Sequence, residues 1–328
     1  MPSKKRTKIT KSINIAVKEI LQGNIIALPT ETVYGLAADA TNEEAVLKIY
    51  ETKKRPFFDP LIVHIRSIKD IKKYAEEVPP EVYKLAEKFS PGPITYILKK
   101  KKIIPDIVTS GLNTVAIRIP AHPMFQKILA KCKVPIAAPS ANMFGRLSPT
   151  CAEDVYKELK GKLNYILNGG HCELGIESTV ISFVDDNIKI LRPGYITKKE
   201  IQKTIKKKVI LVRNKARHGK SKFTIYSPGM LKIHYSPATP LYITDNIYDF
   251  KDQSNVGLLD FSKYESLNEI AINLFSDLRK LDEEGYAYIV ASKVKDSGIG
   301  VAINDRLEKA ARGRVKMGKW EIKFSIKK

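Results

Sequence analysis

Two periodicities alternate along the first two hundred residues, and that alternation limits the chain to a layered α/β architecture. Apolar residues at Ile13, Val17, Ile20 and Leu21 recur at helical spacing over 12–21. Residues 42–50 predict a second helix, capped by Thr41 or Asn42. Further helices are predicted near 80–89, 124–131 and 152–159. Short apolar runs at 25–28, 61–65, 94–98, 115–119, 134–137, 165–167, 180–183 and 188–191 read as strands. Several of these follow one another without an intervening helix, which predicts a twisted mixed sheet, not a wholly parallel one.

Residues 206–240 break the rhythm. Basic residues, Gly219, Ser227-Pro-Gly229 and the Ser236 to Pro240 stretch read as a linker. Beyond it, strands are predicted at 241–243, 256–259 and 286–290, with helices at 267–281 and 302–312. The first of these helices carries Leu267, Ile270, Ala271, Leu274, Phe275, Leu278 and Leu281 on one stripe. Strand–helix–strand–helix order in so short a segment predicts a small Rossmann-like α/β unit. No G-x-G-x-x-G follows a strand, so no dinucleotide is expected. The predicted division is a domain at 1–205, a linker at 206–240 and a C-terminal domain at 241–328.

The formal charge of +22 is uneven. Residues 241–328 carry 15 basic against 14 acidic side chains, so nearly all the excess lies in the first 240 residues. Residues 198–222 alone hold eleven basic residues and one acid, Glu200. Such a field draws polyanions such as nucleotides or RNA; the alternative is a lysine-rich surface that is merely solvated. No run of some 18 apolar residues is present, so no membrane span is expected. The start, read as a basic tail, lacks the apolar segment of a signal peptide. Cys132, Cys151 and Cys172 form no C-x-x-C pair, which suits a reducing cytoplasm, and the histidines show no zinc spacing.

There is no G-x-x-x-x-G-K-[ST] loop and no G-x-S-x-G elbow. Instead, hydroxyl and cationic residues gather in loops beside predicted strands. Thr30, Glu31 and Thr32 follow Pro29 on what reads as a strand-to-helix loop; Thr30 and Glu31 are ordinary turn-shaping residues there. Lys53 and Arg55 follow, then His64, Thr114 and Arg118, Ser140 and Asn142, Ser148, Ser178 and Arg192. The serines could equally be caps, and His64 a core histidine. Arg118 in an apolar strand needs an anionic partner.

The motifs PTETVYGL, K-x-R-P followed by PLIVH, TVAIRIP-x-HP, APSAN, LSPT, GIESTV and LRPG stand in one order along the chain. In this the sequence resembles the threonylcarbamoyl-AMP synthase family, in its long two-domain form with a YrdC-like catalytic core. The linker string SPG…HYSP and the small closing domain distinguish that form. The resemblance implies an adenylate-forming enzyme: L-threonine, bicarbonate and ATP give threonylcarbamoyl-AMP and pyrophosphate. It also implies a downstream tRNA-modifying transferase as partner, with RNA contact as a further possibility. A non-catalytic RNA-binding module of the same fold is the alternative.

Carried over by resemblance, Thr32, His64, Arg118, Ala138 and Ser178 form the threonine site. Lys53, Arg55, Thr114, Ser140, Asn142, Ser148 and Arg192 form the ATP side, with Lys53, Arg55, Ser140 and Asn142 nearest the chemistry and Tyr235 reaching over the nucleotide. A divalent cation, Mg²⁺, is expected on the phosphates, with few protein ligands. Asp59 departs from the family's usual Asn before PLIVH. A carboxylate there would repel a triphosphate unless it meets Mg²⁺ or a lysine, and it enters only as a further nucleotide-site candidate.

Overall fold

The computed structural model describes residues 6–212 and 234–315. Eleven of the described strands form one mixed sheet. Its order is Lys8–Thr10, Tyr165–Leu167, Ile26–Leu28, Gly35–Asp39, Ile136–Ala137, Ile62–His64, Thr114–Arg118, Ile94–Lys99, Thr179–Ser182, Lys189–Arg192 and Ile210–Leu211. Ile62–His64 runs parallel to Thr114–Arg118, and Ile94–Lys99 antiparallel to it, so the expected mixed topology is present.

Alternation along each strand decides what each face meets. Ala27 joins a core with Val46 and Ile49 of helix Glu43–Lys53, Leu85 of Pro80–Phe89 and Val155 of Ala152–Leu159. Its neighbours Ile26 and Leu28 point the other way, onto Ile20 of Ile13–Leu21 and Phe125 of Pro123–Cys132. Past Ile136–Ala137 this second face changes character. It carries a smaller apolar cluster of Ile62, Ile97, Ala116, Val180 and Leu191. The period of two puts His64, Thr95, Thr114 and Arg118 on that same face. This patch is the floor of the candidate site.

The C-terminal unit is a separate parallel sheet, ordered Val256–Leu259, Tyr288–Ser292, Leu241–Thr244 and Gly313–Arg314, with helices Leu267–Glu283 and Gly300–Ala310. It shares a core with the first unit: Val33, Leu147 and Ile176 pack with Tyr235, Leu274, Phe275 and Leu307. Ion pairs Arg279–Asp154 at 3.1 Å and Arg146–Asp282 at 3.1 Å flank that contact.

Three sequence expectations are corrected. The loop after Ile26–Leu28 leads to a strand, Gly35–Asp39, which pairs antiparallel with it. Small residues in Gly35-Leu-Ala-Ala-Asp39 hid this strand, since Ala carries no β signal. Lys8–Thr10, which begins at the last residue of the expected basic tail (1–8), is a strand parallel to Tyr165–Leu167, too short to show a period. Ile210–Leu211, read as linker, extends the large sheet beside Lys189–Arg192. Most of the SPG…HYSP string and the latter part of the basic run lie outside the described residues.

Two glycines permit close approaches. A Cβ on Gly194 would lie 2.4 Å from the Thr179 amide nitrogen and 2.6 Å from the Ser178 carbonyl carbon, so only glycine lets the Arg192 loop press onto Ser178. Gly175, at φ +71°, meets helix Leu267–Glu283 of the C-terminal unit: a Cβ there would lie 2.4 Å from the Ile272 carbonyl oxygen. Gly175→Ala should therefore push the two units apart and cost roughly 1–3 kcal/mol, read as a lowered denaturant midpoint for the whole chain.

Candidate active site

Pro29 ends its strand, and the Thr30 hydroxyl then closes a turn, accepting from the Thr32 amide at 3.0 Å and donating to the Val33 carbonyl at 2.7 Å. That turn lifts Glu31 into the protein. One Glu31 oxygen accepts from Arg118 Nη2 at 2.7 Å and the other from the Ala121 amide at 3.1 Å. Both side chains are buried. Glu31, expected only to shape the turn, is thus the anionic partner that Arg118 required. Arg118 Nε donates to the Gly92 carbonyl at 3.3 Å, which fixes the guanidinium plane.

His64 pairs in register with Arg118. Its Nδ1 lies 3.3 Å from the Ile136 carbonyl and its ring packs on Phe125. Burial, aided by the Arg118 charge, lowers its pKa to about 3, so the imidazole is neutral at ordinary pH. With Nδ1 donating, Nε2 is left as an acceptor.

At the other end, Arg192 donates from Nε to the Ser178 carbonyl at 3.1 Å and from Nη2 to the Ser178 hydroxyl at 3.1 Å. That hydroxyl is shared with Thr95 at 2.7 Å. Glu177 beside it accepts from Ser148 Oγ at 2.5 Å and from Arg306 Nε at 3.0 Å. Burial alone would raise the Glu177 carboxyl, but Arg306, Arg192 and the Ser148 hydroxyl outweigh it and hold the pKa at about 2.

The K-x-R-P cations are committed to structure. Lys53 Nζ donates to the Ser140 carbonyl at 2.5 Å and to the Asn142 carbonyl, tying the Ala138–Asn142 loop down. Burial and the Arg55 charge pull its pKa well below the usual lysine value. Arg55 donates to the Asp59 and Pro60 carbonyls, each at 2.9 Å, and ion-pairs with Asp59 at 2.9 Å. Asp59 therefore meets an arginine. Its carboxylate is fully buried, both oxygens lack an aligned hydrogen-bond donor, and burial raises its pKa against the pull of Arg55 and Lys53.

Of the sequence-predicted residues, Arg55, His64, Arg118, Ala138, Ser140, Arg192 and Tyr235 line one cavity. Thr30, Glu177 and His234 line it as well. Thr32, Lys53, Asp59, Asn142, Ser148 and Ser178 stand behind this lining, bonded to residues that form it or to the adjoining loops. Thr114 is four residues up the strand from Arg118, on the same face. Tyr235 is buried, with its ring against His234, Phe275 and the Arg306 guanidinium and its hydroxyl unpartnered.

Comparison with known proteins decides the family. The family model described as "Telomere recombination" (Sua5_yciO_yrdC) matches residues 18–194, and the model "Threonylcarbamoyl-AMP synthase, C-terminal domain" matches residues 196–312. The chain is 39% identical to the threonylcarbamoyl-AMP synthase of Pyrococcus abyssi, over 92% of this chain and 95% of that one. It is 39% identical to the Bacillus subtilis protein of the same name, over 90% and 91%. The crystal structure of P. abyssi Sua5 complexed with L-threonine superposes with a TM-score of 0.86 at 37% identity, covering 94% of this chain and 98% of that one. The chain belongs to the threonylcarbamoyl-AMP synthase family.

Within this family member, sequence reasoning read Thr30 and Glu31 as shaping the turn only and passed over Glu177, His234 and Arg306. The acids did carry a signal: Glu31 and Glu177 are lone carboxylates inside motifs otherwise rich in hydroxyls and cations. Arg306 had none, being one arginine in a helix of ordinary amphipathic pattern. The depressed Glu177 pKa has a measurable consequence. Its stabilisation is complete above the unfolded-state value near 4.5 and is lost as pH falls toward 2, amounting to about 3 kcal/mol. Denaturant unfolding of Glu177→Gln should show a flatter stability loss over that acid window than the parent chain.

Proposed function

We propose that this cavity joins L-threonine, bicarbonate and ATP into threonylcarbamoyl-AMP with release of pyrophosphate. The observation that carries the reading is the gathering of three buried arginines, Arg55, Arg118 and Arg192, with the neutral His64 in the lining of one cavity. Arg118, held edge-on by Glu31 and Gly92, presents its remaining N–H groups to the amino-acid carboxylate. Neutral His64 offers Nε2 as an acceptor for the threonine hydroxyl or amine, and Thr30, Thr32, Ala138 and Ser178 shape the pocket around it. An analogue without the hydroxyl would leave buried polar groups unpaired.

The amine and bicarbonate give a carbamate with loss of water; a carbamate oxygen attacks the α-phosphorus, and pyrophosphate leaves. Nucleophile and electrophile are both anionic, so the protein's task is to align them and to place fixed cations on the phosphates. Arg192 suits that role, since among the described residues its guanidinium donates to Ser178 and to no carboxylate. Arg55, Ser140, Asn142, Ser148 and Tyr235 complete the nucleotide end, with Lys53 fixing the loop and Thr114 at the far end of the apolar floor. Asp59 sets Arg55.

No group of three or more His, Cys, Asp or Glu that could hold a metal exists among the described residues, and Asp59 is occupied by Arg55. Mg²⁺ would arrive with ATP, its ligands being phosphate oxygens and water. The catalytic core is taken as 1–205, with its last strand at Ile210–Leu211, the connector as 206–240 and the small domain as 241–328. A tRNA-modifying transferase that consumes the adenylate, contact with RNA through the basic face, and a cytoplasmic site of action belong to the same reading. No helix among the described residues is long and apolar enough to cross a membrane. An RNA-binding module would need no such cation-lined cavity.

Pyrophosphate release should require threonine and bicarbonate together, with serine a much poorer substrate; threonine-independent release would overturn the reading. Arg118→Ala should lower threonine use by about 2–3 kcal/mol, as the loss of a charged hydrogen bond, while leaving ATP affinity nearly unchanged. Steady-state kinetics in each substrate separates the two effects.

A further inference from the structure

Arg306 reaches out of the C-terminal unit, from helix Gly300–Ala310, into the catalytic half of the molecule. It is 1% exposed and makes three contacts there. Its Nε donates to Glu177 at 3.0 Å, and the other Glu177 oxygen takes the Ser148 hydroxyl at 2.5 Å. Its Nη1 donates to the Pro193 carbonyl at 2.7 Å, next to Arg192. Its planar face lies 5.3 Å from the centre of the Tyr235 ring. The same helix grips the connector backbone, with the His234 amide on the Lys309 carbonyl at 3.1 Å and Ser236 Oγ on the Ala310 carbonyl at 3.3 Å.

We propose that Arg306 is a positioning residue for the nucleotide end of the site, acting through Glu177 and Tyr235. The inference rests on the reading of Ser148, Arg192 and Tyr235 as the ATP side. One guanidinium fixes all three segments at once: the Ser148 loop through Glu177, the Arg192 loop through Pro193, and the connector through the Tyr235 face. The charge arrangement gives it a second effect. Glu177 stands between two arginines, and Arg306 satisfies it. Without Arg306 the buried carboxylate would have Arg192 as its remaining cation, and Arg192 would turn from the cavity to neutralise it. The phosphates would lose their unpaired arginine although no residue lining the cavity had changed.

A lysine in this place keeps the charge but offers neither the second donor to Pro193 nor a flat face to Tyr235. Arg306→Lys should therefore be intermediate, and Arg306→Met more severe. Removing the stranded charge should undo part of the damage. In the double variant Arg306→Met with Glu177→Gln, the amide still accepts from Ser148 and no longer draws Arg192 away.

The test is initial-rate kinetics in ATP and in threonine, with direct binding of a non-hydrolysable ATP analogue and thermal unfolding run on every variant. Arg306→Met should raise the ATP KM and the analogue Kd by about tenfold or more, and by several times more than the threonine KM, which moves only through the Ser178 contacts that Arg192 gives up. The double variant should recover most of the ATP affinity. Equal rises in both KM values, or a double variant weaker than the single, would overturn the proposal. Should Arg306→Met fail to fold, Arg306→Lys decides: a raised ATP KM at parental melting temperature supports the proposal, and a parental ATP KM sinks it. If the unsubstituted chain showed no threonine-dependent pyrophosphate release, the synthase reading would fall. Analogue binding would still decide the part Arg306 plays.

Discussion

The buried carboxylate of Glu177 is the interaction on which the rest of the site depends. It receives the Ser148 hydroxyl from the core and the Arg306 guanidinium from the C-terminal unit, and it lies beside Arg192. Burying such a charge is costly, and here the cost is met only because cations approach from two directions. Removing one partner would leave the carboxylate uncompensated, a penalty on the order of 3–5 kcal/mol in buried pairs. The two units are therefore joined at the cavity lining itself, as well as through the shared apolar contact around Phe275 and Leu307.

The same logic of paired charge runs through the whole cavity. Arg118 is matched by Glu31, Arg55 by Asp59 and Arg306 by Glu177. Each carboxylate orients one guanidinium and cancels its charge, so the empty site does not carry an unbearable excess of positive charge in a poorly solvated space. Arg192 is the arginine left over, its donors spent on neutral Ser178 oxygens. Burial lowers its pKa, which means the folded protein already holds it at a cost that an arriving anion would relieve. In the proposed reading, the lining supplies recognition through arginines fixed by carboxylates and attraction through Arg192, which among the described residues donates to no carboxylate.

Much of this was legible in the sequence, and the gaps have physical causes. Long amphipathic helices such as Pro80–Phe89 and Ala152–Leu159 announce themselves through many residues in one period. Gly35–Asp39 did not, because alanines and glycine carry almost no strand preference and the pattern is fully buried. Arg55, His64, Arg118, Ser140, Arg192 and Tyr235 were found from their motifs and do line one cavity. What the sequence could not tell is which side chains face the cavity and which stand behind it. Lys53 and Asn142 carry the right chemistry, yet fold back onto carbonyls of neighbouring loops. The acids were undervalued for a related reason. A carboxylate looks out of place near phosphates until its arginine is known, and Arg306 lies 129 residues away from Glu177.

That separation bears on why a chain of this kind keeps its second unit. The sheet face carrying Ile62, Ala116 and Arg118 is buried, and in the proposed reaction a reactive anhydride formed against it needs such shielding from water. Tyr235, itself at φ 63°, lines the same cavity as Ile62 and Arg118 and packs on Arg306 and Phe275, while the end of helix Gly300–Ala310 holds the backbone beside it. A left-handed backbone at a bulky residue is costly and persists where surrounding contacts over-determine it. The small parallel sheet contributes no residue to the floor. Its contribution is two helices, Gly300–Ala310 carrying Arg306 and Leu267–Glu283 carrying Phe275, which together hold the Tyr235 ring, the Glu177 charge and the Arg192 loop.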